Sequence, residues 1–385
     1  MVAYTLISSR VLTLMIALLS ISTGLARAEI PVIPLPKSVS VSSGRMPIKT
    51  NQSHLIVEHP KWQSFAEVLA TDLFRLTGEQ LIVASKRKPR PGDIRLAMDS
   101  NLAEEEYSLF VRKTAILRAS TITGLSHGAS TLLQLLTTSK ESPSLPFVEI
   151  RDEPDVPFRS VMLDLSRQKH SITDIQHVID LCRFYKVRYI ILHLSDDQAW
   201  TFPSKAFPAL GEQRYNFAYK GPNFEKFSLQ EFKDLVAYAD ARGVTLIPEI
   251  DIPGHSGAMR RAAKEAFDPA GVGVVNVATQ AVYDHLELVF KEVADVFASS
   301  PYIHFGTDEV NLGAVYKAYK DDPWVKERRI KDASELFTKF QEEMILMIER
   351  LGRTPLAWEG HRPKKPSKIL KRMIWLNWAI KCQIL

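Results

Sequence analysis

Past Pro154 and Pro157 the chain settles into an alternation of apolar β-type runs and amphipathic helical runs, and no other feature constrains the fold as much. Ser160 to Leu165 reads as a strand, Ile172 to Lys186 as a helix, Arg188 to Leu194 as an apolar strand, Ser228 to Arg242 as a helix stopped at Gly243, and Val244 to Ile250 as a third strand. The series continues with a helix over Gln280 to Ala298, a strand over Tyr302 to Phe305, a helix over Ala333 to Leu351, and strands over Pro355 to Trp358 and Met373 to Trp378. Short strands that are apolar on both faces and joined by helical crossovers belong to a parallel sheet. The expected fold is therefore α/β, a TIM-type (β/α)8 barrel, because polar residues recur just past the strands, where such barrels build their sites. A doubly wound open sheet is the alternative, and the lack of a Gly-rich phosphate loop after the first strand counts against it.

Upstream, residues 29–150 read as a separate α+β domain, and 151–385 as the barrel. Two amphipathic helices, Trp62 to Leu76 and Gly124 to Leu136, are mixed with short strands and a hairpin over Tyr107 to Val111 and Ala115 to Ala119. Residues 1–28 carry Arg10, the apolar run Val11 to Ile21 and the small-residue site Ala26-Arg27-Ala28, which is the pattern of a signal peptide. The run is too short for a span, which needs about 20 apolar residues. The expectation is cleavage after Ala28 and export to the periplasm or the extracellular space, or to a lysosome-like compartment in a eukaryote, with no membrane anchor left. With only Cys182 and Cys382, no disulfide framework is expected. A net charge of +5, scattered along the chain, argues against a nucleic-acid partner, and the basic run Lys86 to Arg90 reads as an exposed turn.

The strand ends carry the chemistry. Asp164 and Arg167 follow the first strand, with Arg159 at its start; His193, Asp196, Asp197 and Trp200 follow the second; Glu249, Asp251 and His255 close the third. His304, Asp308 and Glu309 end the fourth, Trp358 and Glu359 the fifth, and Trp375, Asn377 and Trp378 the sixth. One strand-end acid is usually a helix cap, but carboxylates or imidazoles on several ends, joined by Trp, point to catalysis. Carboxylates with aromatic faces suit glycoside cleavage, where an acid protonates the leaving oxygen and rings stack on the sugar. A divalent metal held by His193, Asp196, Asp251 and His255 is the competing reading.

The adjacent pair Asp308-Glu309 is the most informative feature. Neighbouring carboxylates do not both ionise cheaply, so one is expected to hold a proton near neutral pH. They are too close to serve as an acid and a nucleophile on opposite sides of one bond. Attack by the substrate's own 2-acetamido oxygen removes that difficulty, leaving one carboxylate as acid/base and its neighbour to steady the acetamido group.

The stretch His304-Phe-Gly-Thr-Asp-Glu-Val310 resembles the active-site signature of glycoside hydrolase family 20, the β-N-acetylhexosaminidases. Phe158-Arg159 to Asp164 and Arg167, His193 to Gln198 with Trp200, Pro248 to His255, and Trp358-Glu359 agree with that family in order. The resemblance implies Glu309 as general acid/base, Asp308 orienting the acetamido group, and Arg159 binding sugar hydroxyls. It further implies Asp196, Asp251 and His255 as a supporting network and Trp358 and Trp375 as pocket walls. It implies a carbohydrate substrate, an N-acetylglucosamine or N-acetylgalactosamine glycoside, and neither metal nor other cofactor. Thr307 stands where the family usually has Gly or Ala, and Ser160 where Gly is usual. With six strands counted before Leu385, the expectation is a barrel truncated at its C-terminus. A fragment that is catalytically inactive and at most binds sugar therefore remains the alternative to an active hydrolase.

Overall fold

The computed structural model describes residues 30–136, 143–217, 227–358 and 371–373. They divide at Pro154 into two units.

The first unit contains β1 (Ser38–Pro47), β2 (His54–Val57), α1 (Gln63–Thr77), β3 (Ile82–Ser85), β4 (Ile94–Met98), β5 (Tyr107–Val111), β6 (Ala115–Ala119), α2 (Ile122–Leu135) and β7 (Ser144–Asp152). The strands form one mixed sheet in the order β1-β7-β5-β6-β4-β2-β3, with the expected β5–β6 hairpin inside it. Alternation in β5 and β6 sends Tyr107, Leu109, Val111, Leu117 and Ala119 inward, toward α2. That helix starts at Thr121, whose hydroxyl accepts from the Gly124 amide, and it lies close on the sheet because Gly128 has no side chain. A Cβ there would stand 2.2 Å from Leu117 Cδ1. The expected domain boundary, between Ile150 and Arg151, needs correction: Arg151 and Asp152 still pair with Ser108 and Tyr107, so β7 holds them in the first unit.

The second unit runs β8 (Ser160–Asp164), α3 (Ile172–Phe184), β9 (Tyr189–His193), α4 (Leu229–Asp240), β10 (Thr245–Ile252), α5 (Gly257–Ala262), α6 (Lys264–Phe267), α7 (Gln280–Val296), β11 (Tyr302–Gly306), α8 (Gly313–Tyr319), α9 (Pro323–Glu327), α10 (Ala333–Arg350), β12 (Thr354–Trp358) and β13 (Lys371–Met373). Serines fix the entries to α3 and α4 through capping boxes, Ser171 with Asp174 and Ser228 with Glu231. All six strands are parallel and lie in chain order from β8 to β13. The incomplete barrel read from the sequence is therefore the architecture of the described residues. The sixth strand is shifted from its expected place: Lys371–Met373 pairs with Leu356 to Trp358, and of the expected Met373 to Trp378 only Met373 is among the described residues.

Strand parity separates two apolar layers. Ile190, Leu192, Leu246, Ile250, Ile303, Phe305 and Ala357 pack with the helices, around Phe232, Phe290 and Phe340. Their neighbours Tyr189, Ile191, Ile247, Leu356 and Trp358 gather on the other face with Phe158, Met162 and Tyr302. Each buried aromatic or aliphatic side chain contributes about 1.5 to 3 kcal/mol, so the pleat is pinned on both faces and a slip of one residue would invert every position. The same parity decides which way His193, Glu249, Asp251 and His304 point. No helix among the described residues is long and apolar enough to cross a membrane.

Candidate active site

Register assembles the centre of the site. Asp164 on β8 stands beside His193 on β9, His193 beside Glu249 on β10, and Glu249 beside His304 on β11, a single rung across four strands. Glu249 is fully buried and bonded from three directions: His193 Nδ1 lies 3.1 Å from one oxygen, His304 Nδ1 3.1 Å from the other, and the Trp358 indole N–H donates to that second oxygen. Burial alone would push this carboxyl up, but the two imidazoles outweigh it and hold it well below the usual carboxylate range. His193 gives its second nitrogen to Asp196, at 2.9 Å. Both ring nitrogens thus face carboxylates, and against the opposing effect of burial these keep the imidazole protonated well above its ordinary range.

Toward solvent, Asp196 is the hub. It accepts from His193 and from the Arg167 guanidinium, with His255 Nδ1 3.4 Å from its other oxygen. Although desolvation opposes ionisation, its bonds to His193 and His255 hold Asp196 far below the ordinary range. The bond to Asp196 pushes the His255 imidazole up to about 9, against burial and with help from Asp251. Its far side meets the acid: His255 Nε2 lies 3.4 Å from Glu309 Oε2, and the Glu309 side chain is 77% exposed.

Behind Glu309 lie the two remaining acids. Asp251 is enclosed, and burial, then Glu249 and Asp308, raise its carboxyl well above the usual range. Asp308 is also raised, chiefly by burial, and its hydrogen bond with Asp251 works in the other direction. Its Oδ1 is buried with no hydrogen-bond partner among the described residues. The backbone makes room for this by turning left-handed: Gly306 is at φ 72°, where a Cβ would stand 1.7 Å from Asp251 Oδ1. His255, Thr307 and Glu309 follow at φ 42°, 90° and 48°, conformations that side chains other than glycine enter at a cost.

Asp196, Asp251, His255, Asp308, Glu309 and Trp358 are thus brought together. Arg159 is not. It precedes β8, at the opposite end of the strand from Asp164, and its guanidinium is tied to the carbonyls of Lys186 and Val156. Five residues of strand separate the two ends by about 16 Å, so the same side chain does not serve both. The cation that joins the cluster is Arg167, paired with Asp164 at 2.8 Å and reaching His255 at 3.4 Å. Its place after the strand was the signal for it. Asp197 caps α5, accepting from the Gly257 amide at 2.8 Å. Trp375, Glu359, Asn377 and Trp378 lie outside the described residues.

This arrangement, an exposed carboxyl backed by an imidazole and a second, half-buried acid beside it at the C-terminal ends of parallel strands, is of the kind that glycoside cleavage calls for. The profile of Glycosyl hydrolase family 20, catalytic domain, matches residues 156–383, and that of Glycosyl hydrolase family 20, domain 2, matches residues 29–153. The chain belongs to glycosyl hydrolase family 20. It is 32% identical over 310 residues to a beta-hexosaminidase of Vibrio furnissii, covering 74% of this chain and 50% of that one. A beta-hexosaminidase of Porphyromonas gingivalis is 28% identical over 353 residues, covering 86% of this chain and 45% of its own length. Among solved structures, the GH20 exo beta-N-acetylglucosaminidase of Vibrio harveyi in complex with N-acetylglucosamine superposes with a TM-score of 0.78 at 26% identity, covering 90% of this chain and 57% of that one. The GH20 beta-N-acetylhexosaminidase of Streptomyces coelicolor gives 0.76 at 25%, covering 90% and 69%. The chain spans about half the length of these two curated relatives.

Proposed function

We propose that this chain hydrolyses terminal β-linked N-acetylhexosamine from a carbohydrate by substrate-assisted retention. One observation carries the reading: beside the exposed Glu309 carboxyl lies Asp308, with a buried oxygen that has no protein partner among the described residues. A buried acceptor left open is costly, and the acetamido N–H of a bound sugar is the donor that satisfies it. With the N–H held there, the acetamido oxygen attacks C1 as Glu309 gives its proton to the leaving oxygen. A cyclised oxazolinium forms and the aglycone departs as an alcohol. Glu309, now a carboxylate, then takes a proton from the water that opens the ring at C1, and double inversion preserves the β configuration. The protonated His255, 3.4 Å from Glu309, stabilises the carboxylate stage. Arg167, rather than Arg159, supplies the cation for sugar hydroxyls. No metal or cofactor enters these steps.

The test compares an aryl N-acetyl-β-glucosaminide with the matching aryl β-glucoside, and measures inhibition by a thiazoline mimic of the cyclised intermediate. The expected result is turnover of the first only, with the mimic binding far more tightly than product. Comparable rates on both substrates would point to a protein nucleophile. No turnover of either would favour a fragment that at most binds sugar. The N-terminal Arg10 to Ala28 pattern supports an exported location, which N-terminal sequencing of the protein from the culture medium or periplasm would test.

A further inference from the structure

Thr307 heads the turn that carries Asp308 and Glu309, and it is a β-branched residue at φ 90°. That conformation strains any residue with a branched Cβ, so the side chain is held there by its surroundings. It is 1% exposed, its amide donates to Asp251 Oδ1 at 3.3 Å, and its hydroxyl donates to the Trp358 carbonyl at 3.3 Å. The register between β11 and β12 ends at His304 opposite Leu356, so the hydroxyl bond spans the two strand ends beyond the last paired rung. Trp358 is thereby fastened twice, by its carbonyl to Thr307 and by its indole N–H to Glu249.

We infer that Thr307 is a positioning residue, whose hydroxyl couples the Asp308–Glu309 turn to Trp358 and so fixes the acids against one aromatic side of the site. The inference rests on the activity proposed above for its kinetic consequence, but the link itself does not depend on that activity. A valine keeps the shape and the branch while removing the donor. Serine keeps the donor, and glycine removes donor and strain together.

The experiment uses the full chain with Thr307→Ser, Thr307→Val and Thr307→Gly, each with and without Trp358→Phe, so that acrylamide quenching of Trp358 is read by difference. The serine variant is expected to stay within about threefold of the parent in kcat, and the valine variant to lose about tenfold in kcat with little change in KM, the scale of one net hydrogen bond. Quenching of Trp358 rises in the valine and glycine variants and not in the serine variant. The glycine variant melts at a higher temperature than the valine variant while sharing its loss of kcat. A valine variant with the serine variant's quenching overturns the inference whether or not the parent turns over substrate, and so does a valine variant with the parent's kcat. A parent with no turnover sinks the proposed activity, and the quenching comparison then decides the coupling alone.

Discussion

Replacing Glu249 by glutamine preserves shape and removes one charge from the middle of the rung. The native carboxylate takes bonds from His193, His304 and Trp358. A glutamine presents one carbonyl oxygen and turns its NH2 toward at least one of those nitrogens, while His193 loses a counter-charge in a place from which water is excluded. Breaking a buried, hydrogen-bonded ion pair on one side costs about 3 to 5 kcal/mol. At about 2 to 4 °C per kcal/mol for a domain of roughly 150 to 250 residues, the midpoint should fall by about 6 to 20 °C. The pH dependence has a definite sign. Glu249 is held below its ordinary range, so its contribution is full above about pH 4.5 and is lost as the pH falls. His193 is held above its ordinary range, so its contribution is full below about pH 6.5 and is lost as the pH rises. The gap between parent and Glu249→Gln should therefore be widest between about pH 4.5 and 6.5. Thermal melts followed by circular dichroism at pH 4, 5.5 and 9 measure it. A gap below about 3 °C at pH 5.5, or one that widens toward pH 9, refutes the account of Glu249 as a buried anion between imidazoles.

Glu309→Gln should lower kcat on poor leaving groups by about 10²- to 10⁴-fold and spare activated aryl glycosides, since an activated phenolate hardly needs a proton; equal losses on both would remove Glu309 from the acid role. Arg167→Ala should raise KM and weaken sugar binding, whereas Arg159→Ala, at the far end of β8, should leave KM unchanged; calorimetric titration with N-acetylglucosamine separates the two, and the opposite ranking would return the sugar-binding role to Arg159. His255 is raised to about 9, mainly by its bond to Asp196. Its stabilisation should be full below about pH 6.5 and vanish as the pH rises through about 9, so the difference in melting temperature between the parent and His255→Asn should shrink across that window, and a constant difference would show that His255 is neutral in the fold.

Much of this was legible from residue order because burial writes itself into spacing. The β5–β6 hairpin lies on its expected residues, and β8 to β12 lie within two residues of theirs, since a buried strand between two helices leaves a short, wholly apolar word. The adjacent acids and His255 were visible by the same route. β7 was not anticipated: Pro146, Glu149 and Arg151 interrupt its apolar positions, and only pairing with β1 and β5 makes it a strand. Arg159 was misplaced because sequence order does not say how far along a strand a side chain lies from the reacting end. Glu249 was read as one more strand-end acid. Its importance comes from register with His193 and His304, a relation between distant segments that no local pattern encodes.

The rung also sets an order of events during folding. His193 meets Glu249 across 56 residues of chain, while Trp358 meets it across 109. A doubling of the enclosed loop adds only about 0.6 kcal/mol of closure entropy, so the thermodynamic handicap of the longer connection is small. The kinetic one is larger, because the indole reaches the carboxylate only after the intervening strand β11 has docked, and such non-local pairing is slow. Until then Glu249 sits beside one imidazole with an oxygen still hydrated. Loss of that last hydration and burial of the Trp358 N–H occur together, so exchange protection at this indole marks the docking of β12 onto the strands before it.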